Sequence, residues 1–346
     1  MSSQQFERSK LTAFGDAAAG HEGVLTDESG GVVVKPCTPA ELAFYEETNA
    51  HHPDFAALIP TYMGTLQLGK TEQLEQTIQA VQSSGSGPPI VLPPATEITS
   101  AQRNVDLTPA TVTLKGKAID TETAIVLQNV AAGFVKPNIL DVKLGKRLWD
   151  DNAPEAKRQK LDKVADETTS GSMGFRVAGM KVWKGQDYQT YDKFYGRELK
   201  PENVKKAFQE FFDHTGDNPD NESFADVFPG ALEAVEEIER VVSHQESRMY
   251  SASLLFVYEG DRAARRKAIE SFQKAQGLQK SDGSPTDSAL AGGDVQEDDE
   301  EDEQELKLFD VRMIDFAHAT WIPGAGPDEN MLRGIRSVLQ VMQTIA

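Results

Sequence analysis

The chain has 346 residues, 39% of them hydrophobic and 26% charged, with a formal net charge of -20, enough apolar material for two or three lobes or one large domain with insertions. Its single cysteine, Cys37, excludes an internal disulfide framework and a thiolate zinc site. The opening MSSQQFERSK lacks an apolar signal core and no apolar run reaches the length of a membrane span, so a reducing location, nucleus and cytoplasm, is expected.

In chain order, GGVVVKP predicts a β-branched strand ending near Lys35, and PAELAFYEETNA a helix with Glu41 in its first turn. A strand lysine followed by a helix glutamate is how kinases hold a lysine on nucleotide phosphates. IPTYMGTLQLG and TAIVLQNV read as strands, separated by a sequence rich in glycine, proline and serine that predicts a flexible insertion near 83–110. These elements make residues 1–130 a small, β-rich, nucleotide-clamping lobe. It ends in a connector at Gln128, Asn129 and Val130, whose backbone groups suit an adenine edge.

PNILDVKLG follows. Strand periodicity puts Asp141 and Lys143 on one face with Ile139, while Leu140, Val142 and Leu144 point the other way. Two opposite charges on one face suit a ligand cleft, although an edge strand with a solvated face has the same pattern. From Lys143 to Lys163 seven bases stand against four acids. Within this stretch NAPEAKRQKLDKVADE predicts a helix with Asn152 as its cap, placing Lys157, Lys160 and Lys163 in a row that suits a compact phosphate cluster or, more simply, a solvated face.

The remainder, 131–346, reads as a larger mixed lobe. FRVAGMKVW predicts a strand, PENVKKAFQEFFD and PGALEAVEEIERVVSHQ predict helices, SASLLFVYEG and ELKLFDVRMIDFAHA neighbouring strands, and ENMLRGIRSVLQVMQTI a closing helix. Between the two strands, 277–305 is polar and ends in QEDDEEDEQE, which carries eight acids and no base. It predicts a disordered loop, a spacer or a docking segment for basic transcription or chromatin proteins. In RMIDFAHA, Asp315 at a strand end suits a Mg²⁺ ion, and His318 three residues on suits a substrate hydroxyl or phosphate; taken alone, the pair equally suits a turn cap and a core histidine.

These residues resemble a known family. PNILDVKLG matches the PxxxDxKxG signature of the inositol polyphosphate kinases, and SGSMGFRVAGMKVW, KFYGREL and SASLLFVYEG with VRMIDFAHA agree in order. The chain resembles most the multikinase branch, particularly its fungal members. The resemblance implies an α+β, two-lobed kinase-like fold with a helical substrate-binding insertion at 150–168, and ATP- and Mg²⁺-dependent phosphorylation of inositol 1,4,5-trisphosphate to tetrakis- and pentakisphosphate. It implies inositol phosphate ligands; a monomer is expected, and the acidic surface, repulsive to a long polyanion, argues against nucleic-acid binding. Lys35, Glu41, Gln128 and Val130 are then the nucleotide contacts, Asp141, Lys143, Asp315 and His318 the catalytic residues, and Lys143, Lys157, Arg158 and Lys160 the substrate contacts. Asp315 and Ser253 stand at the metal; the family's SSLL block reads ASLL here, with Ala252 in place of the first hydroxyl. Two alternatives share parts of this pattern: a hexakisphosphate kinase, and a non-catalytic scaffold acting through the acidic segment.

Overall fold

The computed structural model describes residues 12–14, 24–67, 121, 123–213, 222–281 and 307–346. The insertion near 83–110 and all of the acidic segment beyond residue 281 lie outside these residues.

The amino-terminal lobe is an antiparallel sheet of β1 (Thr12–Ala13), β2 (Leu25–Thr26), β3 (Val32–Pro36), β4 (Tyr62–Gln67) and β5 (Thr123–Gln128) in the order β1-β2-β3-β5-β4. Alternation sorts its faces: Val32 and Val34 join Ala124 and Val126 in a small outer cluster, while Lys35 stands opposite Ile125 on the face toward the main core. Helix α1 (Pro39–His51) packs on that face. It starts at Thr38, whose hydroxyl accepts from the Glu41 amide, and proline fills its first turn. Phe44 of α1 stacks on Phe316 at 5.0 Å and Trp321 at 5.2 Å, and Phe55 of the short α2 (Pro53–Ala56) meets both rings edge-on. An aromatic joint therefore fastens the lobes beside Asp315; each buried ring of this size contributes roughly 1.5–3 kcal/mol.

The larger lobe is built on an antiparallel sheet of β6 (Pro137–Leu144), β7 (Phe175–Trp183), β8 (Tyr188–Tyr191), β10 (Ser253–Glu259) and β11 (Phe309–Ile314) in the order β11-β10-β6-β7-β8, with β9 (Ser247–Met249) pairing β12 (Ala319–Trp321) beside it. The face split expected for PNILDVKLG is observed. Leu140, Val142 and Leu144 enter the main core, whereas Ile139 packs with Val130, Ala131 and Val257 on the cleft face that also carries Asp141 and Lys143.

Around the sheet lie α3 (Glu155–Glu167), α4 (Thr169–Met173), α5 (Lys193–Glu198), α6 (Lys205–Phe211), α7 (Glu222–Val242), α8 (Arg262–Ser281) and α9 (Glu329–Gln343). Gly196 of α5 sits hard against β7: a Cβ there would lie 1.9 Å from the Val177 carbonyl oxygen, which only glycine avoids.

Several boundaries differ from those expected. Helix α3 begins one residue after Pro154, and Asn152 does not cap it. Helix α7 starts at Glu222 and runs through Pro229, the expected starting residue; a proline removes one hydrogen bond but leaves a helix standing when its apolar stripe, here Phe228, Ala231, Val235, Ile238 and Val242, is buried. Helix α8 was not anticipated, and its last turns occupy 277–281, the start of the expected loop. Ala264 and Ala268 are small buried residues on an otherwise charged sequence, a weak periodic signal. No described helix is long and apolar enough to cross a membrane.

Candidate active site

A chain of alternating charges crosses from one lobe to the other. The Lys35 ammonium donates to Glu41 Oε1 at 2.8 Å and to Asp315 Oδ1 at 3.0 Å; Asp315 Oδ2 in turn accepts from Lys143 Nζ at 3.3 Å. Burial works against the charge on Lys35, but Asp315 and Glu41 together hold its pKa well above the ordinary range. Glu41 is fully buried on the first turn of α1, where the helix dipole also favours a carboxylate. Lys143 makes a second bond, at 2.7 Å, to the Ser251 carbonyl.

Local backbone geometry aims these groups. Asp315 follows β11 with φ of 70°, a left-handed conformation that costs a non-glycine residue about 1 kcal/mol or more. The turn swings its carboxylate back to the two lysines, while the next residue, Phe316, is locked in the aromatic joint. Gly145, the last residue of the PxxxDxKxG signature, has φ of 94°, and a Cβ there would meet Asn330 Nδ2 at 2.6 Å. Asn330 accepts from the Lys146 and Arg147 amides and donates to the Arg147 carbonyl, so α9 fixes the loop leaving the signature strand.

Asp141 lies deeper, 3% exposed, on the face of Lys143. Burial pushes its carboxyl up to about 6; Lys143 opposes this and the Asp315 charge adds to it. Its Oδ1 and the Ser253 hydroxyl are buried with no partner at full hydrogen-bond geometry, although the hydroxyl lies near enough to the carboxyl to favour its charged form. With the Asp315 carboxylate they form an all-oxygen donor set, which fits a hard divalent cation that completes its shell with water and phosphate.

Internal hydrogen bonds shape the connector. Asn129 is spent internally, donating to the Gly30 carbonyl at 2.7 Å and accepting from the Ala131 amide, and Gln128 pairs through its backbone and side chain with Thr61. Among the described residues the Val130 backbone groups have no backbone partner, while its side chain packs over Ile139 and Val257. Glu259, 1% exposed, accepts from the Val135, Lys136 and Asp261 amides and clamps the connector's far end.

From α3, Lys157 Nζ comes to 3.4 Å from His318 Nε2. Asp150 binds His318 Nδ1. That pairing places the ring proton on Nδ1 and leaves the Nε2 lone pair facing the cleft. The basic row is only partly as expected. A three-residue spacing turns the row by about 60° per step, so Lys160 is exposed beside Lys157 while Lys163 has rotated to an outer pair with Glu167 at 3.8 Å. Arg158 does not join the site: its guanidinium donates to the Ala153 and Asp151 carbonyls and covers the Trp149 ring, anchoring the helix start instead. Asp150, Asn330 and Glu259 were not singled out in the sequence, because their partners are distant in the chain.

Comparisons with known proteins identify the family. An inositol polyphosphate kinase family model matches residues 124–343. The inositol polyphosphate multikinase of Saccharomyces cerevisiae is 31% identical, with the match covering 94% of this chain and 95% of that protein. Human inositol hexakisphosphate kinase 3 is 29% identical over 64% of this chain, which spans about half (51%) of that longer relative. The crystal structure of Ipk2 from S. cerevisiae, in complex with ADP and Mn²⁺, is similar with a TM-score of 0.58 at 27% identity, covering 91% of this chain and 99% of that one. The two-lobed chain with its cross-lobe charge relay belongs to the inositol polyphosphate kinase family, and is a kinase.

Proposed function

We propose that the protein is an ATP- and Mg²⁺-dependent multikinase that phosphorylates inositol 1,4,5-trisphosphate to tetrakis- and pentakisphosphate. The observation that carries this reading is the convergence of Lys35 and Lys143, one from each lobe, on Asp315, with His318, three residues further on, paired to Lys157 of α3. One side of the cleft suits a nucleotide triphosphate and the other a small phosphorylated ring. The bound ADP and Mn²⁺ of the yeast relative, and its near full-length match, support the choice of nucleotide, a divalent metal and a multikinase.

Phosphoryl transfer asks the protein to position reactants and stabilise charge rather than to form covalent bonds. Val130 offers its backbone to the adenine edge above an apolar floor of Ile139 and Val257. Lys35 holds the nucleotide phosphates, oriented by Glu41. Lys143, on the border between the two halves, neutralises the phosphoryl group in transit. Asp315 and Ser253, with Asp141 adjacent, would hold the divalent ion, which would supply positive charge to the transferring phosphates. On the acceptor side His318 Nε2 orients the attacking hydroxyl and takes its proton, with Asp150 fixing the ring and stabilising the imidazolium that results. Lys157 and Lys160 hold phosphates of the acceptor.

The test is transfer from γ-labelled ATP to inositol 1,4,5-trisphosphate and, in parallel, to inositol hexakisphosphate, with products resolved by chromatography. Successive tetrakis- and pentakisphosphate products are expected. Labelling of the hexakisphosphate alone would replace this reading with that of a diphosphoinositol-forming kinase.

A further inference from the structure

On the cleft face one cation has no place in the charge relay. Arg176 of β7 stands directly opposite Lys143 of β6, whose other cross-strand neighbour is Ser253 of β10. Cross-strand opposites project from the same side of a sheet, so Ser253, Lys143 and Arg176 form one row across the cleft. Lys143 leans out of that row toward Asp315 and the Ser251 carbonyl, away from β7. This leaves the β7 end of the row to Arg176 alone.

The Arg176 guanidinium makes one hydrogen bond, Nη1 to Ser170 Oγ at 3.0 Å, and has no ion pair among the described residues. Ser170 is itself fully buried on α4, so the guanidinium is tethered to a rigid support. Burial and the neighbouring Arg197 push it down to about 10, with Asp141 working the other way. Among the described residues Arg197 likewise has no carboxylate partner; its contact is with the Phe194 ring at 5.8 Å. Two such cations, one desolvated, cost free energy until an anion joins them.

The location narrows the anion. The α3–α4 segment has Lys157 beside His318 at one end and Ser170 beside Arg176 at the other, so it runs across the mouth of the acceptor side. A ring held with one hydroxyl at His318 presents its other phosphates along that segment. The nucleotide phosphates, by contrast, belong with Lys35 and Asp315 at the other end of the row.

We propose that Arg176 is a substrate-binding residue whose guanidinium takes a non-reacting phosphate of the inositol phosphate on the side of Lys143 away from Asp315. The planar fork matches two phosphate oxygens at once, which a lysine cannot reproduce. The proposal rests on the inositol phosphate kinase reading above.

Steady-state kinetics of the full chain with inositol 1,4,5-trisphosphate and ATP, on the wild type, Arg176→Met and Arg176→Lys, test it. Arg176→Met should raise the KM for the inositol phosphate about tenfold or more, with kcat and the KM for ATP changed by no more than about twofold; Arg176→Lys should recover part of the loss. ADP-induced thermal stabilisation of both variants reports that the nucleotide lobe is intact. An unchanged inositol phosphate KM overturns the proposal, as does an equal rise in both KM values or a loss confined to kcat, which would make Arg176 a support for Asp141. A wild-type protein that phosphorylates no inositol phosphate would instead refute the parent reading, an outcome the same experiment separates.

Discussion

Replacing Asp141 by asparagine keeps the side chain's shape and removes an ionisation that the fold opposes. The carboxyl's ordinary value of 3.8 is raised to about 6 in the native state, chiefly by burial. At roughly 1.4 kcal/mol per pH unit, the ionised form therefore costs the native state about 3 kcal/mol. For an acid whose native pKa is raised, the native state binds more protons than the unfolded chain between the two values, so stability falls as pH rises from about 4 to about 6 and then levels. Asp141→Asn should escape this fall. Denaturant unfolding of both proteins without nucleotide, from pH 4 to pH 8, should show the variant more stable by about 3 kcal/mol above pH 7, with the gap closing toward pH 4. The same variant should lose most kinase activity, since a group that destabilises the resting fold is retained for function. A gap that does not change with pH, or a variant less stable than wild type at pH 8, would refute this account of the buried carboxylate.

Asp315→Asn should reduce kcat by a hundredfold or more, about 3 kcal/mol for one preorganised charge contact, while thermal unfolding remains cooperative; a variant with full turnover would remove Asp315 from the metal. Lys157→Ala should raise the KM for inositol trisphosphate about tenfold through loss of one charge-assisted contact, Lys160→Ala should raise it more than the KM for ATP, and Lys163→Ala, on the outer face, should leave both unchanged. Equal effects from all three would mean that the helix acts only through its net charge. Gly196→Ala must displace the Val177 carbonyl 1.9 Å from the new Cβ and should lower stability by about 3 kcal/mol, measured by denaturant midpoint.

Strand periodicity in PNILDVKLG was enough to separate the cleft face from the core, because an alternating pattern has one consistent solution on a half-covered sheet. The Lys35–Glu41 pair was legible for a similar reason, being close in sequence across a strand–helix junction. What escaped were contacts between distant segments: Asp150 on His318, Asn330 under Gly145, Glu259 on the connector. Each is an ordinary polar residue locally, and its meaning comes from tertiary placement. The departure of Arg158 has the same origin, since composition counts its charge but not the carbonyls that occupy it. Pro229 misled in the opposite way: a local helix-breaking rule yielded to the burial of the stripe around it.

The cross-lobe relay has two acids and two bases in alternation, so its charges already neutralise one another. Lys35 and Lys143 both lean on Asp315, so either could turn fully to a phosphate only if another cation took its place on that carboxylate. Loading the nucleotide would then be an exchange of electrostatic partners. A bare anion, lacking a cation to give Asp315 in return, would find this half of the enzyme closed by its own neutrality.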